Sequence, residues 1–262
     1  VTTSGTITGN YNTQYYLTVT SPYGMKGGEG WYTSGATAYA TLDTGMINHG
    51  NGTRRMFTNW NGDASGTNYA QSDLISMDGP KTAIAVWKTQ YLVSFTQTGA
   101  AVAPTVSYTA ETDPTDTVPF GVWVRAGSQI TYEYQSILPG VPGVRYFLVG
   151  VSPLSPQFVN GLLNITGIYK TQYYLTLTTN PPGITTPSGE GWYDSGTLAP
   201  ISTSQYKDIT PGASRYRFNG WTTADMTEIT NSTAPSTTAR MDKAKTVTAN
   251  YVMQYYLTVK SD

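Results

Sequence analysis

One pattern occurs four times along the chain, and it limits the possible folds more than any other feature. It reads TITGNYNTQYYLTV from Thr6, AIAVWKTQYLVSF from Ala83, NITGIYKTQYYLTL from Asn164 and TVTANYVMQYYLTV from Thr246. The glutamines that mark it, Gln14, Gln90, Gln172 and Gln254, are 76, 82 and 82 residues apart. That spacing is the size of a small domain rather than one turn of a solenoid. It divides the 262 residues into copies at 13–88, 89–170 and 171–252, flanked by 1–12 and 253–262.

Further motifs recur inside the copies. Gly30, Trp31, Tyr32, Ser34 and Gly35 match Gly191, Trp192, Tyr193, Ser195 and Gly196, a strand leading into a turn. The middle copy is diverged here, with Gly121, Val122, Trp123, Val124 and Gly127, and carries a Pro-rich insertion around Pro104 to Pro119. An aromatic pair follows, Phe57 and Trp60 or Phe218 and Trp221, of which the middle copy keeps Phe147, followed by Gly150. Met77-Asp78 with Lys81-Thr82 matches Met241-Asp242 with Lys245-Thr246, and the middle copy lacks this turn.

Each segment alternates with period two, the signature of a half-buried strand. The opening strand of a copy places Tyr15, Leu17 and Val19 on one face, as do Tyr91, Val93 and Phe95, or Tyr173, Leu175 and Leu177. The closing strand is expected to bury Ile7 and Tyr11, Ala83 and Trp87, Ile165 and Tyr169, or Val247 and Tyr251. No helix of ordinary length is indicated. The expectation is therefore an all-β protein of three tandem, small antiparallel domains, each closing strand running into the next opening strand across about two residues. Connections that short predict a rod.

With QYYLTV, GEGWY-x-SG, the Phe and Trp pair and KTVTANY, the outer copies resemble the divergent internalin B-repeat modules of prokaryotic, including archaeal, surface proteins. The resemblance covers nearly all of copies one and three and the strand ends of copy two. It implies a β-grasp-like or immunoglobulin-like module used as a tandem spacer in secreted proteins, with no catalytic residues to carry over.

Composition narrows the partners. Charged residues are 12% of the chain, about half the share in an ordinary soluble domain, and 15 Lys and Arg are scattered among 16 acids. No basic stripe for nucleic acid exists, and no apolar run is long enough for a membrane-spanning helix. There is no cysteine, so no disulfide or thiolate metal site can form. The 21 tyrosines and the abundant Thr, Ser, Asn and Gly suit strands, turns and a surface insensitive to pH. Together these point to an extracellular or cell-surface location.

Catalytic chemistry is not assembled by any motif. His49 is the single histidine and lies in the loop INHGNG, which excludes a multi-histidine metal site. Glu111, Asp113 and Asp116 in the insertion read as a solvated turn beside Pro114. The loop Asn59-Trp60-Asn61-Gly62-Asp63 lacks the bidentate acid of a calcium loop. Trp31, Trp123 and Trp192 recur at core phase, which favours packing over a sugar platform. Lys81, Lys88 and Lys245 are conceivable isopeptide donors without an identified partner. No enzyme activity and no cofactor is expected. Asn51, Asn164 and Asn231 each begin a sequon, so N-linked glycans are expected at one or more of them.

The flanking segments are each half a repeat: Thr6, Ile7, Thr8 and Tyr11 belong to a closing strand without an opener, and Gln254, Tyr255, Tyr256, Leu257, Thr258 and Val259 to an opener without a closer. Unpaired strands seek partners. The expected function is a structural subunit of an extracellular filament or surface layer, joined head to tail with copies of itself by strand addition through these residues. Alternatives are a slice of a longer array acting as a spacer or glycan-binding adhesive module, and ends that pair within their own copies.

Overall fold

The computed structural model describes residues 4–111, 117–118 and 121–260. It is built almost wholly of strands, and the one helical element among the described residues is the single 3-10 turn Met226–Glu228. No described helix is long and apolar enough to cross a membrane. The chain divides into two compact units. The first gathers Val1–Ser94, Tyr108–Thr131 and Ser155–Asn164; the second gathers Phe95–Ser107, Tyr132–Leu154 and Ile165–Asp262.

In the first unit the opening strand Gln14–Thr20 pairs antiparallel with Gly30–Thr33 and parallel with the start of Lys81–Thr98. The long strand Thr53–Gly62 runs antiparallel to that same closing segment. The second unit repeats the scheme, Leu163–Asn180 pairing antiparallel with Gly191–Asp194 and parallel with Lys245–Tyr255, against which Ser214–Thr222 runs antiparallel. Even the bulge recurs, between Phe57 and Asn59 and between Phe218 and Gly220.

Closing and opening strands are fused without a connecting turn into strands of 18 residues, Lys81–Thr98 and Leu163–Asn180. Continuity follows from the pairing. Gln90 faces Arg54 on one neighbour and Arg125 on the other, so no stretch at the junction is left with unmet backbone groups.

The GEGWY motif has a structural explanation. The Glu29 carboxylate accepts the backbone N–H of Val19 at 3.0 Å, and Glu190 accepts that of Leu177 at 2.9 Å. Tyr32 and Tyr193 donate their hydroxyls to the carbonyls of Gly28 and Gly189, each at 2.8 Å. A side chain at Gly28 or Gly189 would strike the carbonyl oxygen of Tyr39 or Pro200. The glycine that ends the following turn is left-handed in all three copies, φ being 81° at Gly35 and 82° at Gly127 and Gly196. Its N–H donates to the carbonyl of Met77, Val159 or Met241, all fully buried.

That last bond and the strand register correct two sequence alignments of the middle copy. Val159 occupies the place of Met77 and Met241, so the turn missing from the sequence leaves the buried position intact. The bulge between Leu148 and Gly150 sets Leu148, not the exposed Phe147, in the place of Phe57 and Phe218. In the second unit Tyr134 covers Gly167, and its hydroxyl lies 2.8 Å from the carbonyls of Thr96 and Ile165. Burial pushes this phenol up to about 12.

The expected core positions Leu17, Val19, Ala83, Ile165, Tyr169, Leu175, Val247 and Tyr251 are buried. Ile7 and Tyr11 are not, at 98% and 95% exposed.

Candidate assembly interface

Thr6, Ile7, Thr8 and Tyr11 lie in no strand and are exposed. In the other copies the same motif is held between an opening strand and a long antiparallel strand, and neither neighbour lies beside residues 6–11. At the other end Gln254 and Tyr255 extend the strand Lys245–Tyr255, facing Arg215 and Ser214. Tyr256, Leu257, Thr258 and Val259 continue beyond it without regular structure, Leu257 being 82% exposed. Gln254 to Val259 spells the same hexapeptide as Gln14 to Val19. The first copy of that sequence is built wholly into a sheet, and the second only through Gln254 and Tyr255.

The opening glutamines are the centre of a recurring cluster that the sequence reading did not find. In the first unit Arg54 donates its Nε to Gln90 Oε1 at 2.7 Å, and its guanidinium lies 4.6 Å from the centre of the Trp123 ring. In the second, Arg145 donates to Gln172 Oε1 at 2.8 Å and lies 4.5 Å from the Trp192 ring. Register explains the recurrence. Arg145 faces Gln172, Gln172 faces Asp194, and Trp192 is two residues from Asp194 on the same face of its strand. Gln172 also donates to Asp194 Oδ1 at 2.8 Å, which holds that carboxyl below the usual aspartate range. Across the strand pair Trp123 faces Leu92 and Trp192 faces Tyr174, whose ring stands 5.2 Å from it edge to face.

The third cluster is incomplete. Arg215 donates to Gln254 Oε1 at 3.1 Å, but no tryptophan lies on it, and the guanidinium covers Tyr206 of its own copy at 3.9 Å. Arg215, Gln254, Tyr255 and Tyr256 line an open cleft of about 400 Å³. The matching tryptophan of copy one, Trp31, has no arginine over it; it touches Tyr16 edge to face at 5.2 Å and is 67% exposed, against 7% for Trp123. The expectation that Trp31 packs into a core is corrected accordingly. These tryptophans sit on the outer face of the sheet, and Trp123 and Trp192 are covered by an arginine rather than by their own core. The signal available in the sequence was an arginine three residues before Phe57, Leu148 and Phe218, obscured by the misplacement of Phe147.

The remaining candidates are structural in their contacts. Glu111 pairs with Arg125 at 2.8 Å and accepts from Ser128 at 2.9 Å, while Asp113 and Asp116 lie outside the described residues. Asp63 accepts the backbone N–H of Thr82 at 2.7 Å, and Asn59 donates to the carbonyl of Trp60. No group of three or more His, Asp or Glu side chains converges among the described residues. Tyr23 stands 6.3 Å from the His49 ring. Lys81 pairs with Asp78 at 2.7 Å; Lys245 is buried against Glu228 at 2.6 Å and Asp242 at 2.8 Å, and bonds the carbonyl of Arg240. Asn51, Asn164 and Asn231 are all exposed, and Asn51 and Asn231 accept from the N–H two residues on.

No protein-family model matches the chain, and no curated protein is similar enough to count as a relative.

Proposed function

We propose that the chain is three tandem β modules serving as the structural subunit of an extracellular filament or surface layer, joined head to tail by strand addition. The observation that carries this reading is Gln254 to Val259. Together they repeat a sheet-forming opener letter for letter, yet only Gln254 and Tyr255 are paired, and Tyr256 to Val259 stand exposed beyond them. A strand whose backbone groups are met by solvent and whose side chains suit a known groove is a donor for that groove in another molecule. The role is mechanical and non-enzymatic, with N-linked glycans on Asn51, Asn164 or Asn231 shielding the surface.

Negative-stain electron microscopy of the full chain beside a chain ending at Met253 tests it. Regular fibres from the first and separate particles from the second are expected. Separate particles from both, at every concentration, would end the reading.

A second reading, a spacer or adhesive module that binds glycans, is favoured by one observation. Trp31 beside Tyr16 offers an exposed aromatic face of the kind that stacks on sugar rings.

A further inference from the structure

We infer that Arg215 and Gln254 form a half-built joint completed by Trp31 of a second copy of this chain. The inference rests on the head-to-tail reading and gives that contact its residues and register.

The pattern of arginine, glutamine and tryptophan is complete twice and half-built twice. Two complete clusters are present, Arg54 with Gln90 and Trp123, and Arg145 with Gln172 and Trp192, with stacking distances of 4.6 and 4.5 Å. Arg215 and Gln254 reproduce the arginine and glutamine of this set and lack the tryptophan; Trp31 reproduces the tryptophan and lacks the arginine. The two vacancies are complementary in chemistry, a cation and a π face, and the cleft of about 400 Å³ beside Arg215 is open to solvent.

Register shows how they meet. Gln14 faces Thr33, Tyr16 faces Trp31 and Leu17 faces Gly30. Because Gln254 to Val259 is identical to Gln14 to Val19, it can pair with Gly30–Thr33 of a second copy in the same register, Gln254 facing Thr33 and Tyr256 facing Trp31. The second copy's own hexapeptide is then released, an exchange of identical strands. Contacts made by the hexapeptide itself are conserved in the exchange. What is new is that Lys245–Tyr255 becomes a fused closing and opening strand like Lys81–Thr98 and Leu163–Asn180, with Arg215 over Trp31 at its centre.

The absence of cysteine permits a direct test. Full-length Trp31→Cys and Arg215→Cys chains are mixed and treated with a short bismaleimide. A covalent dimer is expected from the mixture and not from either variant alone. In parallel, Trp31→Ala and Arg215→Ala are each expected to weaken self-association about tenfold, and the double variant no further than a single one, because both remove the same contact. Both side chains are exposed in the single chain, so these variants retain the fold. Fibres that form with unchanged concentration dependence in both alanine variants, and no cross-link, would overturn the joint while leaving head-to-tail assembly standing. No association of the unmodified chain would overturn both. Loss of binding on a glycan array by Trp31→Ala, with association unchanged, would overturn the joint in favour of a sugar platform.

Discussion

In copy one the buried face carries Ala40 and Ile75; at the equivalent places copy three carries Ile201 and Ala239. The registers confirm the equivalence, Ala38 facing Ile75 and Ala199 facing Ala239. At these two places each core carries one isoleucine and one alanine, with the positions exchanged. Around them Leu17 and Leu175, Trp60 and Trp221, and Met77 and Met241 are alike. The frame tolerates redistribution of volume between facing strands but not its loss, as expected of an interior packed like a solid. A second difference concerns the turn before the closing strand. Lys81 pairs with an Asp78 that is 70% exposed, whereas the Lys245 side chain is 3% exposed and meets Glu228, itself 5% exposed. The same lysine position is a solvated surface pair in one copy and a buried ion pair in the other.

The largest effect expected from this contrast is at Glu228. Its carboxylate takes both Lys245 at 2.6 Å and Lys243 at 2.9 Å. Glu228→Ala leaves the buried ammonium with Asp242 and the Arg240 carbonyl and should destabilise the second unit by about 3 kcal/mol. Asp78→Ala removes a partner that solvent replaces, and should cost far less. Urea denaturation of the two variants compares them directly, and equal shifts in midpoint would break the distinction between the two turns. Replacing Glu228 and Lys245 together by Leu and Met should recover most of the loss, because the uncompensated charge is gone.

The exchange of volumes gives the next effect. Ile75→Ala should cost about 3 kcal/mol through the cavity it opens, and Ala40→Ile about 2 kcal/mol through overpacking. Made together they convert the core of copy one into the arrangement of copy three. The double variant is then expected about 1 kcal/mol below the parent, a coupling that additive sites do not show. Thermal or urea unfolding of the four proteins closes the cycle. A double variant as destabilised as the sum would mean that the two positions do not share space.

Much of this frame was legible in the sequence because it is carried by short local patterns. Period two placed Leu17, Val19, Leu175 and Val247 on the buried face, and Gly35 and Gly196 marked the turn that follows the GEGWY strand. What escaped depends on residues far apart in the chain. Glu228 lies in the turn Met226–Glu228, which has no counterpart among the described elements of copy one, so nothing in the repeat marked it as the partner of Lys245. Trp31, Trp123 and Trp192 share a strand phase, but their burial is decided by an arginine on another strand, and that arginine is present for two of the three. The fusion of closing and opening strands was missed for a similar reason. Lys88-Thr89-Gln90 reads as a polar connection until the strands pairing on both sides of it are known.

The smallest effect expected is in acid. Hydrogen bonds from Lys81 and Lys245 hold the carboxyls of Asp78 and Asp242 below the usual aspartate range, against burial, which pushes them up. A carboxyl whose value is lowered in the folded state contributes stability above its unfolded value, about 4, and loses it as the pH falls through the folded one. Both turns should therefore weaken below about pH 4, and neither should respond between neutrality and mild acid. The comparison sharpens the difference between the copies. Asp242 bonds an ammonium that is also fixed by buried Glu228, so its partner cannot turn away to solvent, whereas Lys81 can. Asp242→Asn should then flatten the acid limb of the stability profile more than Asp78→Asn does. Urea midpoints measured from pH 6 down to pH 2 for the parent and the two asparagine variants decide it. An equal flattening would show that the burial of Lys245 does not strengthen its hold on Asp242.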